Sequence, residues 1–377
     1  MKIALVSPFE ERVPPMAYGG IELVVGNLAE HFVTLGHDVT LFASGDSKTS
    51  ARLVSVFPRA LRAIGQLREV SLREAWRQVG VGRVVAFLAR EKFDIIHNHL
   101  GWSLLPMADM FLAPVVTTLH GPLDVTDHQE MYHLYRDENY VSISRSQRRP
   151  LPGLHYVGNV YNGIETESYR YSRFGGDYLA FLGRISPEKG PVQAIEIAKR
   201  TGSRLVMGAK VDPVDRAFFR KKVKPLIDGK QIIFLGEVGH RAKVELLSGA
   251  KALVSPIQWE EPFGLVFIEA MTCGTPVLSF GRGSVPEIVE NGVTGFVCET
   301  LDEMVRKVPL IETLDRRRCV DRVRKYFSAR HMALGYLDVY RKVMVEARQK
   351  QQQLFGVPRS VGVKVRERWM EAFGRAT

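Results

Sequence analysis

Only three cysteines occur in 377 residues, Cys273, Cys298 and Cys319, and no two share a CxxC spacing. So few and so scattered thiols exclude a disulfide framework and a thiolate metal centre, and they read as buried free cysteines. No uninterrupted apolar run approaches the roughly 18 residues of a membrane span. Met1 leads directly into KIALVS, without a charged n-region, a long apolar stretch or a small-residue cleavage site, so the expected location is cytoplasmic. GxxxxGK[ST] does not occur, which excludes a P-loop phosphoryl transferase, and neither HExxH nor a strand-end DxD pair is found. Hence neither a metal nor any other cofactor is expected. No repeat of solenoid length is visible either.

What is present is the composition of an ordinary globular protein, with 45% hydrophobic, 25% charged and 9% aromatic residues. A chain of this length exceeds what one core usually serves, so two domains with a cleft between them are expected. The net charge of +11 admits attraction to a polyphosphate ligand, to an anionic membrane surface or to nucleic acid. Aromatic-basic interleaving of the RNP type and zinc-finger spacing are both missing, so nucleic acid is not an expected partner.

Short β-branched runs alternate with amphipathic stretches, the pattern of an α/β fold with doubly wound parallel sheets. Strands are expected at 2–7, 38–43, 52–57, 94–98, 114–119 and 140–143, and again at 177–183, 204–207, 231–235, 252–255 and 276–279. Between the first two, Leu23, Val24, Leu28, Phe32 and Leu35 recur at helical spacing and stop at Gly36, which puts Gly19 and Gly20 at a helix N-terminus. Alternation lapses near 158–173. The expected units are therefore residues 1–168, residues 169–327, a helix over 328–350 that crosses back to the first unit, and a basic tail, 351–377. The tail, and the arginine-rich stretch 52–90, either touch a membrane peripherally or lie as solvated surface.

Four clusters carry possible chemistry. In SPIQWEEPFGLVFIEAMTCGTPVLS a strand ends near Pro256, Pro262 is placed at the first position of a helix, and Gly274 ends that helix. Glu261 then lies at the helix mouth and Glu269 about two turns further in. Amides of Phe263, Gly264 and Leu265 suit a phosphate or sugar oxygen. The two carboxylates, being acceptor-only, suit the hydroxyls of a diol; on spacing alone, two surface glutamates would look the same. In FLGRISPEKG, Arg184 and Lys189 leave the carboxyl end of a strand, where a diphosphate would meet a guanidinium fork and an ammonium point charge, or where a surface turn would leave both solvated. Gly19-Gly20 permits close approach of a phosphate. In PVVTTLHG, His120 ends a strand and either faces the cleft or is a structural histidine, and His97 and His99 end a neighbouring strand.

Taken in order, GGIE, TLHG, LGRISPEKG, EPFGLVFIEAM with CGTPV, and GSVPEIVENGVTGF resemble the retaining glycosyltransferases of family 4, from Met1 to about Val345. The resemblance implies the GT-B architecture, two facing Rossmann-like domains with an interdomain cleft, and a nucleotide-sugar donor, UDP-hexose favoured and glucose ahead of other hexoses. It implies that Arg184 and Lys189 neutralise the donor diphosphate, Glu269 holds the ribose, and Glu261 meets the hexose at its C3 hydroxyl. Gly19 and Gly20 would close on the diphosphate, His120 would contact the 6-hydroxyl, and Leu235 and Gly236 would lie near the base. On the acceptor side, by position, stand the loop 8–18, residues 121–140, His97, His99, Ser144, Gln147 and Arg148; Ser144, Gln147 and Arg148 would serve the acceptor or the interdomain wall equally. Shared Rossmann-like domains also allow a nucleotide-sugar-binding protein without transferase activity.

Overall fold

The computed structural model describes residues 1–17, 19–67 and 69–354. The basic tail expected over 351–377 falls almost wholly outside the described residues, as does Tyr18 of the loop 8–18.

Seven strands, β1 (Lys2–Val6), β2 (Asp38–Ser44), β3 (Arg52–Phe57), β4 (Ile95–Asn98), β5 (Val115–Leu119), β6 (Asn139–Ser142) and β7 (Tyr156–Asn159), form one sheet in the order β3-β2-β1-β4-β5-β6-β7. Six more, β8 (Tyr178–Arg184), β9 (Arg204–Lys210), β10 (Ile232–Gly236), β11 (Ala252–Ser255), β12 (Val277–Phe280) and β13 (Gly295–Cys298), form a second in the order β10-β9-β8-β11-β12-β13. All neighbouring pairs run parallel. A parallel sheet is covered on both faces, so its central strands bury every residue, as in VVTTL of β5 and ALVS of β11.

Strands β7 and β13 were not expected from the sequence. Both are edge strands of four residues. The glycines of YVGN and GFVC carry turn signals that hide a strand. Gly295 is in fact packed so closely on β12 that a Cβ there would meet the Val277 carbonyl oxygen at 1.9 Å.

Strand order reverses between β1 and β4 in the first sheet, and between β8 and β11 in the second. Ligands of open α/β sheets bind outside the carboxyl ends of the strands at such a reversal. The loops after β1, β8 and β11 therefore flank the expected ligand position.

The helix Ala329–Leu354 follows the second unit in sequence but packs in the core of the first, where Met332, Tyr336 and Tyr340 meet Leu28 and Phe32 of the helix Gly20–Thr34. Tyr340 Oη lies 2.6 Å from His97 Nδ1, and Tyr336 Oη lies 2.9 Å from Thr118 Oγ1, which in turn holds His97 Nε2 at 2.7 Å. Both His97 nitrogens are thus occupied beneath the sheet. This corrects the expectation that His97 lines the cleft: the alternation of β4 turns it to the face that the last helix covers.

Burial keeps three imidazoles neutral. His120 falls to about 3, and His97 and His99 fall well below the usual histidine range, with neighbouring imidazoles adding to burial. Below about pH 6.5 the unfolded chain protonates these groups and the folded one does not, so stability falls with pH. Glu22 opposes this. Burial raises its carboxyl to about 7, so between about 4.5 and 7 it favours the folded state as pH falls. At about 1.4 kcal/mol per group per pH unit, three histidines against one glutamate are expected to cost on the order of 2–3 kcal/mol between pH 6.5 and 5.5. Urea unfolding at the two pH values checks this, and equal or greater stability at pH 5.5 would contradict it.

Candidate active site

The two sheets present their reversal points to one cleft of about 640 Å³, within the roughly 300–1,000 Å³ range of small-ligand sites. From the first sheet it is lined by Gly19, Gly20, Glu22 and His120, and from the second by Arg184, Lys189, Glu261 and Glu269. A Cβ on Gly20 would come within 3.2 Å of Leu265 Cδ1, so the GGIE and EPFGL segments touch across the cleft.

Arg184 is the last residue of β8, and Lys189 ends the single turn Pro187–Lys189 that follows it. Gly190 then adopts φ 68°, and a Cβ there would stand 2.0 Å from the Pro256 carbonyl oxygen. Only glycine lets the loop after β8 lie against the loop after β11. That contact is what brings Lys189 to Glu261. Gly190→Ala is accordingly expected to cost about 2 kcal/mol or more, from backbone strain and from forcing the loops apart. Thermal unfolding checks this, and an unchanged melting temperature would show that the loops tolerate the side chain.

The glutamate helix begins later than expected. It spans Leu265–Thr272 with Gly264 as its N-cap at φ 80°, where a Cβ would lie 2.3 Å from the Phe267 ring. Pro262 is therefore not its first residue. The Pro262 carbonyl accepts from Ser144 Oγ at 2.6 Å and the Phe263 carbonyl from Ser284 Oγ at 2.7 Å, so neither enters the helical ladder. The GSVPEIVENG segment buttresses the same loop: the Ser284 amide donates to the Glu261 carbonyl at 2.9 Å, and the Gly283 amide to Glu260 Oε2 at 2.7 Å.

Glu261 and Glu269 are built alike. Glu261 is 8% exposed, and its Oε2 accepts from Lys189 Nζ and, at 3.1 Å, from Trp259 Nε1; Lys189 also lies 4.6 Å from the Trp259 ring centroid. Glu269 is 6% exposed, and its Oε1 accepts from Lys243 Nζ and, at 2.9 Å, from the Tyr169 hydroxyl. Each carboxylate is thus oriented by one lysine and one aromatic donor. Among the described residues its second oxygen has no protein partner, which narrows the diol expectation to one open oxygen on each. Lys243, Tyr169 and Trp259 were missed in the sequence, because Lys243 and Tyr169 lie 26 and 100 residues from Glu269 and carry no local signal.

Arg184 is likewise set among carboxylates. Its Nη2 bonds Glu188, with Asp215 at 3.6 Å and Asp212 at 3.9 Å. Burial raises the Asp215 carboxyl. Each cation is therefore paired with carboxylates, in three units: Arg184 with Glu188, Asp212 and Asp215, Lys189 with Glu261, and Lys243 with Glu269.

On the first-domain side, His120 Nε2 lies 2.8 Å from His99 Nδ1, and the two rings stack. His99 is 2% exposed and stands behind His120, away from the cleft lining. Gln147 holds the turn around His120, donating to the carbonyls of Leu119 at 2.9 Å and Gly121 at 2.8 Å. Arg148 donates to Ser142 Oγ at 2.6 Å and stacks on Tyr156. Ser144, through Pro262, therefore joins the wall between the sheets, whereas the partners of Gln147 and Arg148 all lie in the first unit. Leu235 and Gly236 lie just before Glu237 and Val238, which line the cleft in their place. Phe263, 2% exposed, packs its ring near Tyr161 and Phe327. Glu22, 5% exposed and in the cleft wall, had no role assigned from sequence.

Among the described residues no group of three or more His, Cys, Asp or Glu is gathered as a metal site would be. No described helix is long and apolar enough to cross a membrane.

Two family models match the chain: Glycosyltransferase Family 4 over residues 18–157 and Glycosyl transferases group 1 over residues 172–326. The N-acetyl-alpha-D-glucosaminyl L-malate synthase of Bacillus anthracis is 38% identical over 321 residues, covering 75% of this chain and 81% of that protein. The alpha-maltose-1-phosphate synthase of Mycolicibacterium smegmatis is 30% identical over 404 residues, covering 91% and 100%. In three dimensions, the crystal structure of Anabaena Alr3699/HepE in complex with UDP and glucose matches with a TM-score of 0.70 at 16% identity, over 91% of this chain and 100% of that one; at that identity the likeness concerns the fold. With the reversal points facing each other across one cleft, the chain belongs to the family 4 glycosyltransferases of GT-B fold, enzymes that transfer a sugar from a nucleotide-sugar donor.

Proposed function

We propose that this enzyme is a retaining hexosyltransferase that takes glucose from UDP-glucose and passes it to a hydroxyl acceptor held on the first-domain side of the cleft. The observation that carries the reading is the pairing of Lys189 with Glu261 where the loops after β8 and β11 meet. One residue can then face a diphosphate while its partner faces the attached sugar.

In this reading Arg184 and Lys189 bind the diphosphate, aided by the backbone at Gly19 and Gly20 and by the amides of Phe263, Gly264 and Leu265. Glu269 gives its open oxygen to the ribose, Glu261 gives its own to the C3 hydroxyl, and His120 meets the 6-hydroxyl. The base lies along the turn from Leu235 to Val238. The bond from the anomeric carbon to the diphosphate oxygen breaks as the bond to the acceptor oxygen forms on the same face, and the acceptor proton passes to the departing phosphate. The protein then contributes positioning and charge stabilisation, with no metal and no carboxylate base.

A donor screen tests this. A ligand bound only by the folded state stabilises it by about 2.7 kcal/mol at 100 times its Kd. UDP-glucose is expected to raise the melting temperature more than ADP-, GDP- or other UDP-sugars, and NMR of the first product is expected to show the α anomer. A β first product would refute retention, and preference for another base or sugar would refute the donor assignment.

A further inference from the structure

The helix Val70–Leu88 is apolar on two opposite faces. Gly80, Val81, Val84 and Leu88 are buried against the first sheet. On the other side Leu72, Ala75, Trp76, Val79 and Ala86 are all exposed, Trp76 by 40% and Val79 by 47%. Their spacings of three, four and seven residues place them in one outward stripe. A helix apolar on both sides is ordinarily covered on both.

The surrounding charge indicates what covers it. From Arg52 to Lys92 nine cations stand against three carboxylates, a net +6 within a chain of +11. The helix packs beside β3, the edge strand of its sheet, so this stretch forms one flank of the molecule. Glu10, Glu11 and Glu91 engage Arg77, Arg62 and Arg52 respectively. Arg59, Arg90 and Lys92 are exposed and, among the described residues, have no carboxylate partner, whereas Arg83, also exposed, donates to the Val56 carbonyl at 2.7 Å. A second copy of this flank would be repelled by like charge. So would the tail, where Arg359, Lys364, Arg366, Arg368 and Arg375 outnumber Glu367 and Glu371. A tryptophan-bearing apolar stripe flanked by cations fits the boundary of an anionic bilayer.

We propose that this flank docks on an anionic lipid surface, with the stripe entering the headgroup region and the unpaired cations meeting lipid phosphates. Arg77, at helical spacing with the buried Gly80, Val81 and Val84, lines the cleft from the inner face of the same helix, so docking brings the cleft wall within one helix diameter, roughly 10 Å, of the bilayer. Resting on the transferase reading above, the acceptor is then a lipid-borne hydroxyl.

Co-sedimentation of the full chain with vesicles tests the surface. Binding is expected to phosphatidylglycerol-containing vesicles and not to phosphatidylcholine alone. Leu72→Ser with Val79→Ser is expected to weaken it by ~10-fold or more, with melting temperature and UDP-glucose hydrolysis unchanged; Trp76 is left in place because its ring also packs on the buried Phe57. Undiminished binding by that variant overturns the proposal. So does loss in a Trp369→Ser, Phe373→Ser variant alone, which would assign binding to the tail, or a dimer that the helix variant dissolves. Hydrolysis of UDP-glucose measured on the same samples separates the two claims: docking without hydrolysis refutes the UDP-glucose assignment, and hydrolysis without docking refutes this one.

Discussion

Lys189→Ala is expected to lower turnover at saturating donor by at least ~100-fold, the loss seen when a preorganised contact to a developing oxyanion is removed. The ammonium is held in place before any substrate arrives, by Glu261 Oε2 and by the Trp259 ring, so it need not reorganise as charge grows on the leaving diphosphate. Removing it also leaves Glu261, 10% exposed at its side chain, without its cation. Some loss of stability should accompany the loss of rate, and a melting curve separates the two. Steady-state kinetics on folded protein is the check. Near-normal turnover would sink the assignment of Lys189 to the diphosphate.

Glu269 should behave differently. Its partner Lys243 is only 16% exposed, and the pair is closed by the Tyr169 hydroxyl, whose ionisation burial and the adjacent Glu269 push well above the usual tyrosine range. Glu269→Ala would strand a largely buried ammonium, and breaking such a pair costs about 3 kcal/mol or more. Glu269→Gln keeps an acceptor for the Tyr169 hydroxyl and fills the same volume. It is expected to preserve the fold more nearly while raising the donor KM by ~10-fold, since a neutral amide oxygen receives a ribose hydroxyl less strongly than a carboxylate does. Chemical denaturation of the first variant and donor kinetics of the second check these outcomes. A Glu269→Ala protein as stable as the parent would mean that Lys243 finds water or another partner.

Much of the fold was legible because a parallel sheet buried on both faces writes itself as short apolar runs between helices. The eleven expected strands have counterparts within a few residues at each end. What escaped was decided by tertiary contact. β7 and β13 are short edges whose glycines mimic turns. The glutamate helix starts at Leu265 because Gly264 adopts a left-handed conformation and because Ser144 and Ser284, distant in sequence, take the preceding carbonyls. His97, read beside His99 and His120, turns under the sheet to meet Tyr340, 243 residues away.

The site was legible at the same level. Arg184, Lys189, Glu261 and Glu269 do meet at one cleft, as strand-end and helix-mouth positions require. Their pairing was not, because a carboxylate's partner is set by packing and not by spacing. Lys189 with Glu261, Lys243 with Glu269, and Arg184 with Glu188 turn what looked like cations for phosphate and carboxylates for hydroxyls into coupled units.

In the proposed reaction Arg184 and Lys189 hold the donor diphosphate. Calorimetric titration of UDP into the wild-type protein and into an Arg184→Ala, Lys189→Ala variant of unchanged fold tests it most directly. With hydrogen bonds to charged groups worth about 1.5–3 kcal/mol each, the variant should bind UDP at least ~100-fold more weakly than the wild type. Equal dissociation constants for the two proteins would contradict it.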